Sequence, residues 1–141
     1  MTTEDVDKKV LMVAYHFPPC TGSSGIQRTL KFSRYLPEHG WQPIVLCPHP
    51  RAYPAAREDL VREIHPKTII KRSWAIDVSR HLSFRGIYLS SMALPDRWNS
   101  WILSAVPTGI ALIKKYKPRF IWSTYPIATS HLIALLLHRI T

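Results

Sequence analysis

The run Lys9-Val-Leu-Met-Val-Ala-Tyr15 constrains this chain more than any other feature, because it has no polar break. A strand wetted on one side would alternate apolar with polar residues, whereas an unbroken run suits a strand buried on both faces of a parallel sheet. The loop from His16 to Gly25 then opens onto a helix-period segment, Ile26 to Leu36. There Ile26, Leu30, Phe32 or Tyr35, and Leu36 recur with Arg28, Lys31 and Arg34 between them. Pro37 to Gly40 stops that helix.

The same alternation continues downstream. Pro43 to Cys47 reads as a second short buried strand, Ala55 to Ile64 as a charged surface helix, and Thr68 to Arg72 as a third strand. Trp74 to Pro95 has no clean period, although Gly86-Ile-Tyr-Leu89 is strand-like. From Asp96, residues Trp98, Trp101, Ala105, Leu112 and Tyr116 form a helical stripe, which Pro107 is expected to kink or split near Val106. Arg119 to Ser123 reads as a fourth strand and Pro126 starts a helix to about Arg139.

Strand and helix in alternation predict an α/β fold: a doubly wound, Rossmann-like parallel sheet with right-handed crossovers. Residues 1–8 read as a polar tail and 9–141 as one domain, which the chain length and its 46% apolar content allow. The last helix carries an apolar face, Leu132, Leu135 and Leu136, that should pack on a sheet with a further strand. The chain is therefore expected to be the leading piece of a larger protein.

Charge narrows the partners. Nineteen Lys and Arg against nine Asp and Glu give +10, and no acid follows Asp96. Such a balance favours anionic partners: phosphorylated small molecules, anionic lipid or nucleic acid. Met1 to Lys9 lacks the basic start and apolar run of a signal peptide, and Leu132 to Leu137 is far too short to cross a bilayer. A cytoplasmic setting is expected, with Cys20 and Cys47 as reduced thiols.

In doubly wound sheets ligands gather outside the carboxyl ends of the strands, so the loop after Tyr15 is the first candidate site. Gly22 and Gly25 allow close backbone approach, Ser23 and Ser24 are good caps, and the helix that follows presents amides with positive dipole character. Arg28 could add a charged fork if it points back at the loop. The competing reading is a plain strand-to-helix turn with Arg28 solvated. Dinucleotide and Walker loops are excluded: Pro18 and Pro19 occupy the turn, Cys47-Pro48-His49 follows the second strand, and no Gly-Lys-Ser/Thr triplet occurs. His16, Cys20, Cys47 and His49 should lie at neighbouring strand ends, but their spacings do not suit zinc, and no metal is expected.

Val10 to Tyr15, His16-Phe-Pro-Pro, Gly22-Ser-Ser-Gly25 and Arg28 together resemble the opening of family-four glycosyltransferases of the two-domain GT-B fold. Pro95-Asp96 with Trp98 and Trp101, then Lys117-Pro118, Phe120 to Ser123 and Ser123-Thr-Tyr-Pro126, look like the second half of that family's N-terminal domain. The resemblance implies the acceptor-side domain of a retaining glycosyltransferase that moves sugar from a nucleotide-sugar donor to a glycan or lipid-linked acceptor. It implies a nucleotide-sugar as co-substrate and no further cofactor. Gly22, Ser23, Ser24 and Gly25 take the place of the family's donor-diphosphate loop, and Arg28, His16 and Thr124 become candidate phosphate or acceptor contacts.

The departures matter as much. The family's second domain, with its paired donor-binding glutamates, has no counterpart among Glu4, Glu38, Glu58 and Glu63. This chain alone should not transfer sugar, and no residue in it is assigned as acid, base or nucleophile. Where some members place a His before a residue-Pro pair, this chain has Thr124 before Tyr125-Pro126, while His131 falls inside the following helix.

Trp98 and Trp101, close to Arg80, Arg85 and Arg97, are candidate contacts to an anionic membrane on its inner face; the alternative is that their stripe packs on the sheet. Lys114-Lys-Tyr-Lys117 is the best patch for nucleic acid, but helix-turn-helix, RNP and zinc-finger patterns are missing, which disfavours that partner. A non-catalytic α/β module binding phosphorylated or nucleic-acid ligands is the second reading.

Overall fold

A computed structural model describes residues 8–75 and 98–141. Four strands, β1 (Lys9–Val13), β2 (Gln42–Pro48), β3 (Ile69–Ser73) and β4 (Phe120–Ser123), form one all-parallel sheet in the order β3-β2-β1-β4. The described α-helices are α1 (Ser24–Tyr35), α2 (Trp101–Tyr116) and α3 (Ala128–Ile140). This is an α/β, doubly wound, Rossmann-like arrangement.

The apolar runs are continuous because both sheet faces are covered. Leu11, Val13, Ile44 and Leu46 pack with Trp101, Ala105, Leu112, Ile133 and Leu137 of α2 and α3. Val10, Met12, Val45 and Cys47 point to the other face, where Leu36, Trp41 and Trp122 lie against them. Gly109 lets α2 and α3 approach closely, since a Cβ there would come within 2.6 Å of Leu137 Cδ1.

Three expectations are corrected. Ala55 to Ile64 is not an α-helix: only Glu58–Glu63 coils, as a 3-10 turn. The backbone before it is committed elsewhere, with Thr21 N donating to Ala55 O at 3.2 Å and Arg57 N to Pro19 O at 2.7 Å. This short antiparallel contact, centred on Cys20 and Ala56, ties the β2–β3 connection to the loop after β1. Second, α2 runs through Pro107 as one element, so the helix is not split there. The proline removes one amide, while Ser104 O still accepts from Thr108 Oγ1 at 2.7 Å.

The third correction concerns Trp101, which is fully buried and donates its indole N–H to Ser73 Oγ at 2.9 Å. It is a core residue of the α2–sheet interface and does not reach a lipid surface. Trp98 is half-buried against Tyr15 and His16, with ring centroids 5.3 and 6.1 Å away. The strand-like Gly86 to Leu89 and the cations Arg80, Arg85 and Arg97 lie outside the described residues. No described helix is long and apolar enough to cross a membrane.

Candidate functional site

The strand order sets the location. From β1 the chain moves to β2 and β3 on one side, whereas β4 lies on the other side of β1. The carboxyl ends of β1 and β4 therefore flank the topological switch point, the place where open α/β sheets bind ligands. One wall is the β1–α1 loop and the other is Thr124 to Ile127, between β4 and α3.

Ser23 organises the first wall. As N-cap of α1 its Oγ accepts from Gly25 N at 3.2 Å, and it lies 3.0 Å from His16 Nδ1. The Ser23 hydroxyl either donates to Nδ1 while accepting from Gly25 or accepts from both, according to the His16 tautomer. Gly22 has φ 83°, a left-handed conformation that favours glycine, and together with Ser24 it is exposed. Gly25 plays another part than close approach to a ligand. It is buried, and a Cβ there would lie 3.2 Å from Pro126 Cδ and 3.5 Å from Tyr125 O, so its small size lets the two walls meet.

Arg28 joins the walls further along α1. Its Nη1 donates to Thr124 Oγ1 at 3.3 Å and lies 3.5 Å from Tyr125 O. The guanidinium thus turns toward the β4–α3 loop, and it carries more N–H donors than these two acceptors use. Thr124 is buried while Tyr125 is 68% exposed at the rim. The structure thereby brings Ser23 to His16, Gly25 to Tyr125 and Pro126, and Arg28 to Thr124 at the switch point, with Gly22 and Ser24 exposed on the β1–α1 loop and Trp101 in the core.

Sequence reasoning missed the residues that brace this edge. Arg72 of β3 donates through Nη1 to Pro48 O at 3.1 Å and through Nη2 to Pro18 O, tying together the loops after β1 and β2. Tyr53 Oη donates to Tyr15 O at 2.6 Å in a buried position. Neither has a local signature, because each acts on a carbonyl far away in the chain. Tyr125 was visible only as part of a Tyr-Pro pair. His131 is exposed, with Nδ1 2.8 Å from Ser123 Oγ at the end of β4.

The thiols belong to the support rather than the crevice. Burial pushes Cys47 up to about 12, with nearby Arg72 opposing the shift, and pushes Cys20 up to about 11. Burial also raises Tyr53 well above its ordinary value. These groups are neutral near pH 7 and are poor nucleophiles. Among the described residues no three His, Cys, Asp or Glu side chains group as metal ligands.

No protein-family model, curated protein or solved structure matches this chain.

Proposed function

We propose that the switch-point crevice binds the diphosphate of a nucleotide-sugar, and that the chain is the acceptor-side domain of a retaining GT-B glycosyltransferase. The observation that carries the reading is the Arg28 guanidinium held against Thr124 and Tyr125 at the switch point, with Gly22 and Ser24 exposed at the start of the same helix. A cation, a helix start and hydroxyl groups at one end of the sheet suit a doubly charged, oxygen-rich ligand. The resemblance of the motifs between Val10 and Arg28, and between Lys117 and Pro126, to family-four enzymes supplies the sugar.

In this reading the chain provides loop amides and Arg28 near the diphosphate, with the rim around Tyr125 and His16 on the acceptor side. Donor contacts made by paired glutamates come from another domain, so sugar transfer requires that domain too. The reaction belongs on the cytoplasmic side of a membrane, with a glycan or lipid-linked acceptor.

Calorimetric titration of the 141-residue chain with UDP, GDP and pyrophosphate tests the binding step. A nucleoside diphosphate should bind, and Arg28→Ala should weaken it by about tenfold, the scale of one lost charge-assisted contact. Equal affinity in wild type and Arg28→Ala would sink the reading.

A further inference from the structure

The amino edge of the sheet, opposite the switch point, gathers cations from three segments. Lys9 leads β1 and Arg119 immediately precedes β4, and Arg119 N donates to Lys9 O at 2.8 Å. The two stand one step before the paired Val10 and Phe120, so they leave the sheet side by side. Lys117 closes α2 in the left-handed conformation, φ 51°, and this turn brings the end of the helix to the same place. Lys9, Lys115, Tyr116, Lys117 and Arg119 line one cavity of about 510 Å³.

The protein supplies little to balance that charge. None of the described acids, Glu38, Glu58, Asp59 and Glu63, lines the cavity, and Lys115, Lys117 and Arg119 make no ion pair with a described residue. The carboxyl-end dipole of α2 offsets only about half an elementary charge. It accounts for a lysine in the last turn but not for the arginine that a strand adds. Three cations thus remain without a carboxylate even when Lys9 is set aside.

We infer that this cavity binds a compact oligophosphate group, two or more linked phosphates on one small ligand. A single phosphate brings a charge of about −2, less than the cluster carries, whereas linked phosphates match it. The Arg119 guanidinium suits a pair of phosphate oxygens, and the lysine ammonium groups close on the rest as point charges. The volume falls among those of small-ligand pockets, about 300–1,000 Å³. A duplex is read by cations strung along a surface or by an element entering a groove, and a hollow fits neither. These residues lie at the far edge from Arg28, so the inference stands apart from the diphosphate reading.

Inorganic tripolyphosphate is the probe, followed by amide chemical shifts of the whole chain. Saturable shifts are expected at residue 9 and residues 115–119. Affinity read at those amides should fall about tenfold in Lys115→Gln with Arg119→Gln and stay unaltered in Arg28→Ala. Both replaced side chains are exposed, so the circular dichroism spectrum should not change. Lys117→Gly, which favours the left-handed turn, should weaken binding about threefold without loss of stability. Cardiolipin vesicles then separate the sources. Flotation that the double variant abolishes assigns the phosphates to a lipid headgroup, and tripolyphosphate binding without flotation assigns them to a free oligophosphate. Equal tripolyphosphate affinity in wild type and the double variant would overturn the inference. So would shifts confined to Arg28 and Thr124, or an unrelated DNA duplex that binds tighter than tripolyphosphate and displaces it.

Discussion

Arg28 and Thr124 stand 96 residues apart in the chain, yet Arg28 Nη1 lies 3.3 Å from Thr124 Oγ1. One residue sits on the first helix and the other just past the fourth strand, so their contact spans the mouth of the sheet's switch point. It fixes a cation beside the carboxyl end of β4, with geometry set by two elements rather than one flexible loop.

Because Arg28 is exposed, its hydrogen bonds to Thr124 and Tyr125 should add little to stability. Arg28→Ala is expected to lower unfolding free energy by under about 1 kcal/mol in urea melts, while weakening a nucleoside diphosphate about tenfold. Arg28→Lys should restore only part of the affinity, since an ammonium lacks the planar fork. A melt shift well beyond that size would recast Arg28 as a structural tie.

Gly25→Ala puts a methyl group 3.2 Å from the Pro126 ring. The proline ring cannot rotate away, so the β4–α3 loop has to move. A loss of about 1 kcal/mol is expected, with chemical-shift changes reaching Thr124 and Tyr125. Unchanged shifts at those two residues would show that the walls do not touch as described.

Gly109→Ala sets two effects against each other. Alanine improves helix propensity by about 1 kcal/mol, but its Cβ would lie 2.6 and 2.8 Å from the two methyls of Leu137. Leu137 is fully buried and has little room to yield, so overpacking at about 1 to 3 kcal/mol should win. Thermal melts should therefore show net destabilisation, and the smaller side chain of Leu137→Ala in the double variant should recover part of the clash term.

Trp101→Ala should cost about 3 to 5 kcal/mol, the usual range for emptying a buried tryptophan site, and leave Ser73 without its indole donor. Trp101→Phe should cost less. Vesicle binding, if the protein shows any, should be unchanged in Trp101→Phe, because this ring never meets solvent.

Cys47 supplies a pH test. Its thiol sits at about 12 in the folded chain against an ordinary value of 9.0, so the folded state holds its proton more tightly than the unfolded chain does. The stability from that proton is complete below about pH 9 and drains away as pH rises toward 12. Urea midpoints should fall across that interval, and Cys47→Ala should fall less steeply once its own cavity cost is subtracted.

Much of the architecture was legible because its causes are local. Val10 to Tyr15 and Pro43 to Cys47 announce strands covered on both sides, and the spacing of Ile26, Leu30 and Leu36 announces the helix between them. The Ser23 cap needs only its neighbour two residues on. Ala55 to Ile64 misled because helix propensity there loses to hydrogen bonds with Pro19 and Thr21, partners no local window contains. The Trp98 and Trp101 stripe left core and surface both open for a similar reason. Aromatic residues at helical spacing look alike whether a core or a membrane receives them, and burial alone separates the cases.

From its residues alone, then, this protein is an alternating α/β chain with a glycine- and serine-rich turn after a doubly buried first strand, because periodicity and turn chemistry act over a few residues. Only the folded sheet decided that β4 lies beside β1, and with it that Arg28 meets Thr124, that Trp101 enters the core and that Gly25 lets two loops touch. Such pairings are chosen by the summed packing of the whole chain, which no short stretch of sequence encodes.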